Sequence, residues 1–322
     1  MDDGLKENLK KAAAVIRKAD TILIASHINP DGDTIGCLLA LGLALLHMGK
    51  KITMACQDGV PSRFQFLPGS ELITSTATDK ADVAIAVDCG SSRQLGSLRA
   101  AFFRARVTVQ IDHHDFGESF GKIQVLENEA SAVGEIVYEL IRALKIDISP
   151  AIAACLLTSI IIDTGSFRFS NIRAKTFDIC GKLIKRGVDL PSLIEESYWI
   201  RSRSMSKLLS YCLLHAEFSK DGSVASSVVR QKDIRRFGAK LSDADSVADE
   251  LRCIEGVKIT AVFREIERRR FRVSLRSKHG INVAEVAKKF GGGGHHNAAG
   301  CSIRSWGYDK ERFLKDLEAL VS

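Results

Sequence analysis

The sequence predicts an α/β protein: an N-terminal doubly wound, mostly parallel sheet, joined by a linker helix to a smaller α+β C-terminal domain. Three observations carry this reading. The runs Thr21 to Ser26, Asp82 to Val87 and Val107 to Ile111 are short, β-branched and almost continuously apolar, as strands buried on both faces are. Segments of helical periodicity separate them, the pattern of strands linked by crossover helices. In the last third the order changes to strands at 224–229, 257–264, 271–275 and 300–303, interleaved with shorter helices.

In chain order, the strand at 21–26 is followed by a Leu- and Ala-rich helix from Thr34 to Met48 that stops at Gly49, a suitable left-handed terminator. Lys51 to Cys56 reads as the next strand, closed by a loop from Gln57 to Ser62. Strands at 82–88 and 107–112 follow, with a short helix between them at 95–104. Val133, Ile136, Val137, Leu140 and Ile141 recur at helical spacing, with Ser131 as the expected cap. Further helices are expected from Ser149-Pro150 to Asp163 and over 175–185. These give a catalytic domain over 1–190, a linker helix over 191–216 and a second domain over 217–322. Helices at 243–253, 283–289 and 310–320 belong to the second domain.

At 322 residues and 45% hydrophobic, the chain can bury two proper cores and is not a disordered one. Eight cysteines stand singly with no CxxC pair, which suits reduced thiols in a cytoplasm. The polar start Met1-Asp2-Asp3 does not suit a secretory leader, and neither Cys37 to Leu46 nor Ala151 to Ile162 has the ~20 residues a membrane span needs, so no membrane partner is expected. Of the net charge of +7, +6 lies in residues 213–322, with 21 Lys+Arg against 15 Asp+Glu. A solvated basic face explains that excess as well as an anionic partner does.

Acids and imidazoles gather where the strands end. His27-Ile28-Asn29-Pro30-Asp31-Gly32-Asp33 follows the first, Asp88 the third and Asp112-His113-His114-Asp115 the fourth. In open α/β sheets, ligands bind beyond the carboxyl ends of the strands, so these groups can converge although far apart in sequence. A D-x-D in a loop is, by itself, more often a helix cap. Several unpaired carboxylates at one sheet edge would repel without a cation, however, and a carboxylate-rich set with a few imidazoles favours Mn2+, or Fe2+ or Co2+, over thiolate-bound zinc.

These motifs resemble those of the DHH phosphoesterase superfamily, which includes the exonuclease RecJ and the small nanoRNase/pAp phosphatases. The resemblance rests on His27-x-x-Pro30-Asp31-Gly32-Asp33-x-x-Gly36, Asp88, Asp112-His113-His114 and Asp163 in Ile162-Asp163-Thr164-Gly165-Ser166-Phe167. It implies two Mn2+ per active site, with Mg2+, Co2+ or Fe2+ as substitutes. His27, Asp31 and Asp88 would hold one ion; Asp33, Asp88, His113 and Asp163 would hold the other, with Asp88 bridging. Asp163 enters only through the resemblance, because by position it is merely a helix-end acid.

The segment Phe290-Gly291-Gly292-Gly293-Gly294-His295 resembles the GGGH motif of the DHH-associated domain, and its glycines are expected to shape a phosphate-sized backbone nest. Upstream, Phe271 to Lys278 alternates apolar and basic positions, and Ser274-Leu275-Arg276-Ser277-Lys278 resembles the substrate-binding stretch of the nanoRNase branch. Arg276, Ser277, Gly292, Gly293, Gly294 and His295 are therefore the expected substrate contacts. The run Arg268-Arg269-Arg270 matches no motif and reads as a solvated hairpin turn.

The resemblance implies a phosphoesterase that releases 5′-mononucleotides from short single-stranded RNA, and pAp to AMP, through a two-metal activated water in a cleft between the domains. Asp88, Asp112 and His114 would be catalytic, with His114 on the substrate side and Asp112 orienting it. The rival substrates are cyclic or linear dinucleotides (c-di-AMP and pApA, c-di-GMP and pGpG), and RecJ-like processive, pyrophosphatase or exopolyphosphatase activity is less favoured. A nucleotide sensor without turnover is the alternative of another class. A homodimer is expected by the same similarity, and a cytoplasmic location from the scattered cysteines.

Overall fold

The computed structural model describes residues 3–77, 80–114, 117–278, 280–304 and 306–321, without the side chains at 295, 306 and 308. Two compact units divide the chain, residues 1–200 and 201–322.

In the first unit the elements are α1 (Asp3–Lys18), β1 (Thr21–Ser26), α2 (Gly32–Leu46), β2 (Lys51–Ala55), β3 (Ile73–Thr74), β4 (Val83–Val87), α3 (Arg99–Arg104), β5 (Val107–Asp112), β6 (Ile123–Leu126), α4 (Val133–Leu144), α5 (Pro150–Asp163), α6 (Ala174–Ile184) and α7 (Leu190–Ile194). The sheet runs β3-β2-β1-β4-β5-β6 with every pair parallel. The strand order reverses between β1 and β4, and the carboxyl ends flanking that switch point carry His27 and Asp88.

The doubly wound sheet is as expected, and the differences lie at helix starts and short elements. α2 begins at Gly32 because the Asp31 carboxylate accepts the Thr34 N–H and caps it. α4 starts at Val133 and Ser131 does not cap it; the Ser131 hydroxyl instead meets the Asn171 carbonyl and the Thr176 hydroxyl. The helix expected at 95–104 is interrupted at Gly96 (φ +55°), leaving a 3₁₀ stretch before α3. α2 is buried almost all round, packed against α4 and α5. Glycines permit that closeness: a Cβ on Gly36 would stand 2.5 Å from the Cys155 carbonyl, and one on Gly134 2.1 Å from the Ser159 hydroxyl.

Instead of one linker helix over 191–216, α7 gives way to a π-helical turn at Glu195–Trp199, and the chain restarts as α8 (Arg203–Leu214). Leu208, Leu209 and Cys212 of α8 pack with Ala225, Val229 and Val262, so this helix is built into the second unit's core. That unit continues with β7 (Glu217–Phe218), β8 (Val224–Val229), α9 (Gln231–Phe237), α10 (Val247–Arg252), β9 (Ile259–Glu267), β10 (Arg270–Ser277), α11 (Val283–Lys289), β11 (Gly293–His295), β12 (Ala298–Ile303) and α12 (Trp306–Glu318). Its sheet has the order β11-β12-β10-β9-β8-β7, antiparallel except for β8 with β9. The eight cysteines are unpaired, seven of them buried. Among the described residues no helix is long and apolar enough to cross a membrane.

Candidate metal centre

β1, β4 and β5 end side by side, and α2 and α5 meet above them, so five elements deliver side chains to one edge. His27 follows β1 and hydrogen-bonds the Ile28 carbonyl through Nδ1 (2.7 Å). A carbonyl can only accept, so Nδ1 bears the proton, and a neutral ring then presents the lone pair of Nε2. Nε2 stands 3.4 Å from Asp88 Oδ2. His113 is set the same way, with Nδ1 on the Ala130 carbonyl (2.9 Å) and Nε2 3.2 Å from Asp163 and 3.9 Å from Asp33. His114 differs: its Nδ1 lies 2.7 Å from Asp112 and 3.8 Å from Asp88.

The carboxylates are held as firmly. Asp33, in the first turn of α2 and 1% exposed, accepts from the Ser159 hydroxyl (2.5 Å), the Cys37 thiol (3.1 Å) and the Val133 N–H (2.9 Å). Asp88 has φ +58°, a conformation rare for a residue with a side chain, which its Asp88 N–H to Ile111 carbonyl bond helps hold. The Thr34 hydroxyl sits among His27 Nε2 (2.5 Å), Asp88 Oδ2 (2.5 Å) and Asp31 Oδ1 (3.1 Å).

Three interlocking groups result: His27, Asp31 and Asp88; Asp33, His113 and Asp163; Asp88, His113 and His114. Within each, one ligand atom per residue lies within 4.8 Å of the others. Asp88 and His113 each belong to two groups, so the groups form one centre. The structure brings His27, Asp31, Asp33, Asp88, His113 and Asp163 together in these groups, with His114 beside them; Asp112 stands behind His114, and Asp115 lies outside the described residues.

Charge crowding shows that this donor set suits cations. Burial and then the charge of Asp88 raise the Asp31 pKa; burial, Asp88 and Asp163 raise Asp33 well above the carboxylate range. Burial opposes charge on the rings, yet the Asp88 hydrogen bond and charge lift His27 to about 10, and Asp163 lifts His113 well above its ordinary value. Asp88 moves the other way: burial opposes its charge, and His27 outweighs it. Divalent cations would relieve the carboxylate repulsion and replace protons on the rings, which is the fit expected of a metal site.

Thr34, Ser159 and Asn171 were not anticipated. The Asn171 amide donates to the Asp163 carbonyl (3.1 Å) and the Ser131 carbonyl (2.9 Å), tying the end of α5 to the turn that orients His113. Ser159 was legible in principle, since it lies four residues before Asp163 on the same helix face.

In the second unit, Arg276 lies on β10 with Nε 3.2 Å from Asp249. Ser277 corrects the expectation of a displayed substrate contact: it is 2% exposed and its hydroxyl donates to the Ile281 carbonyl (2.6 Å), because β10 ends there and needs the loop tied. The glycine run is not an open nest either. Gly293 to His295 pair with β12 as a strand, and Gly292 and Gly294 are demanded by backbone proximity, with a Cβ landing 2.0 Å from the Gly300 carbonyl or 2.5 Å from that of Ala298. Gly293 alone of the three faces open space. The side chain of His295 lies outside the described residues.

Comparison with known proteins agrees with this division. The DHH family N-terminal domain model matches residues 21–160, and the DHHA1 domain model matches residues 221–322. Over 315 residues the chain is 30% identical to the bifunctional oligoribonuclease and PAP phosphatase NrnA of Thermus thermophilus, covering 96% of this chain and 93% of that one. It is 29% identical over 306 residues to the Bacillus subtilis protein of the same description, covering 94% and 95%. A solved exopolyphosphatase-related protein from Bacteroides fragilis superposes with TM-score 0.90 at 25% identity, covering 98% of this chain and 96% of that one.

Proposed function

The chain belongs to the DHH family and is a phosphoester hydrolase, and from that premise we propose that it cleaves short oligoribonucleotides to 5′-mononucleotides and dephosphorylates pAp, using two divalent cations. The relatives described as oligoribonuclease and PAP phosphatase support the substrate class. The observation that carries the reading is the centre of three interlocking His and Asp groups joined through Asp88 and His113.

We assign His27, Asp31 and Asp88 to one cation and Asp33, Asp88, His113 and Asp163 to the other. The carboxylate-rich donor set favours Mn2+. When bound, such a pair supplies Lewis acidity toward a phosphoryl oxygen and makes water acidic enough to attack near neutral pH.

The chain's own groups then handle protons and orientation. Asp112 fixes the His114 ring through the 2.7 Å contact at Nδ1, and we assign the ring to the substrate side. Burial opposes charge on His114, but the Asp112 hydrogen bond and the charges of Asp88 and Asp112 raise it to about 9. In the metal-free protein the ring is therefore protonated at neutral pH, and we assign it as the donor to the departing oxygen. We assign phosphate recognition in the second unit to Arg276, and backbone contact to Gly293, where no Cβ would intervene.

The deciding experiment is product analysis on di- to pentaribonucleotides, pAp, pApA, pGpG, cyclic dinucleotides and polyphosphate, with Mn2+ and after chelation. Mononucleotides from the short RNAs, lost on chelation and in Asp88→Ala, are expected. Undiminished turnover after chelation, or turnover of polyphosphate alone, would refute the proposal.

A further inference from the structure

One face of the second sheet carries more positive charge than the acids beside it balance. Residues paired across antiparallel strands share a face, so the register β9-β10-β12 sets Arg264, Arg272 and Ser302 in one row, Val262, Ser274 and Gly300 in the next, and Thr260, Arg276 and Ala298 in the third. Gly293 pairs with Gly300, which brings the glycine ribbon onto the same face.

Arg264 pairs with Asp245, while Asp249 faces both Arg276 (3.2 Å) and Arg252 (3.7 Å). Asp249 is thus shared between two guanidiniums, and Arg272 is exposed with no ion-pair partner among the described residues. Burial, and after it the charges of Arg272 and Arg276, pull Arg264 down to about 10 although Asp245 lies beside it. Arg270 has a carboxylate of its own, Glu267, 3.7 Å away.

The β12 side of the arginine row is open. Ala298, Gly300 and Ser302 carry small side chains or none, a Cβ on Gly300 would meet only the Val273 carbonyl at 3.2 Å, and one on Gly293 would meet nothing within 4 Å. Arg264 donates to the Ser274 oxygen (3.0 Å), which leaves the Ser274 O–H proton for an incoming acceptor.

We infer that Arg272, with Ser274 and Arg264 beside it, forms a second phosphate site that tracks a single-stranded oligonucleotide beyond the phosphate assigned to Arg276. The inference rests on the substrate reading proposed above and specifies chain length. Arg272 and Arg276 stand about 13 Å apart along the strand, too far to grip one phosphate and about the reach of phosphates two nucleotide steps apart on an extended strand. Polyphosphate offers the same chemistry, and the test separates the two sources.

The experiment measures anisotropy of labelled, 5′-phosphorylated di- and pentaadenylates in chelator across a salt series, and kcat/KM on both with Mn2+, for wild type, Arg272→Ala and Arg272→Lys. Arg272→Ala should weaken the pentamer about tenfold, at least about five times more than the dimer, and flatten its salt slope by about 0.7. Arg272→Lys should restore most of the loss, because a point charge suffices for a phosphate contact. Equal weakening at both lengths, no weakening at either, or competition by polyphosphate that outranks the pentamer would overturn the inference. Wild-type protein that neither binds nor cleaves any oligoadenylate would sink the functional reading and this site with it, whereas an active wild type with a length-independent variant sinks this site alone.

Discussion

Ser159→Ala separates the positioning of Asp33 from the mere presence of its carboxylate. The Ser159 hydroxyl donates to Asp33 Oδ1 at 2.5 Å, both groups are buried, and they lie 126 residues apart in the chain. A hydrogen bond to a charged group contributes about 1.5–3 kcal/mol, and its loss leaves Asp33 with the Cys37 thiol and the Val133 N–H. Expressed as affinity, that range is about 10–100-fold, the same span by which partners of metal ligands usually act. The half-saturating Mn2+ concentration should therefore rise about 10–100-fold, while kcat at saturating Mn2+ stays within about threefold. Thermal unfolding in chelator should shift down by about 3–10 °C, given the 200-residue first unit. Titration of activity with Mn2+, beside thermal melts with and without the ion, makes the measurement. An unchanged Mn2+ requirement with a lowered melting temperature would refute the reasoning, because Ser159 would then serve the core and not the centre.

Chelated protein should lose stability as pH rises from about 7 to 9: His27 has an ordinary pKa of 6.5 and a folded value of about 10, so its contribution is complete below 6.5 and is lost through the folded value. Melting curves over that window, with Mn2+ rescue growing toward high pH, check this; a flat profile contradicts it. Asp112→Asn removes the carboxylate that does most to raise His114 against burial, so the alkaline limb of the pH–rate profile should move to lower pH, read from kcat/KM between pH 6 and 10. Gly292→Ala should destabilise the protein by about 1–3 kcal/mol because its Cβ meets the Gly300 carbonyl, whereas Gly293→Ala should stay within about 0.5 kcal/mol; urea melts that rank them equally would contradict the strand geometry.

Much of the centre was legible because strand ends are a local signal. A buried parallel strand reads as an apolar run, and the residues just after that run must sit at the sheet's edge, so His27, Asp31, Asp33, Asp88, Asp112, His113 and His114 were placed from the sequence. Asp163 gave no such signal, since an acid at a helix end is ordinary; only family resemblance named it, and only packing of α5 over α2 puts it 3.2 Å from His113. The glycine run misled in detail because a flexible composition does not disclose that β12 will pair with it. Ser277 misled because an exposed-looking hydroxyl in a motif was already committed to a loop carbonyl.

Hydrophobic period and residue type are properties of short segments, so the class of fold and the kind of chemistry could be read along the chain. How those segments act together depends on contacts between them. Asp33 meets Val133 and Ser159 from 100 and 126 residues away, the Ala130 carbonyl selects which nitrogen of His113 is presented, and strand register places Arg272 on the face of the glycine ribbon. Each of these depends on hydrogen bonds and packing between distant segments, which no local pattern encodes.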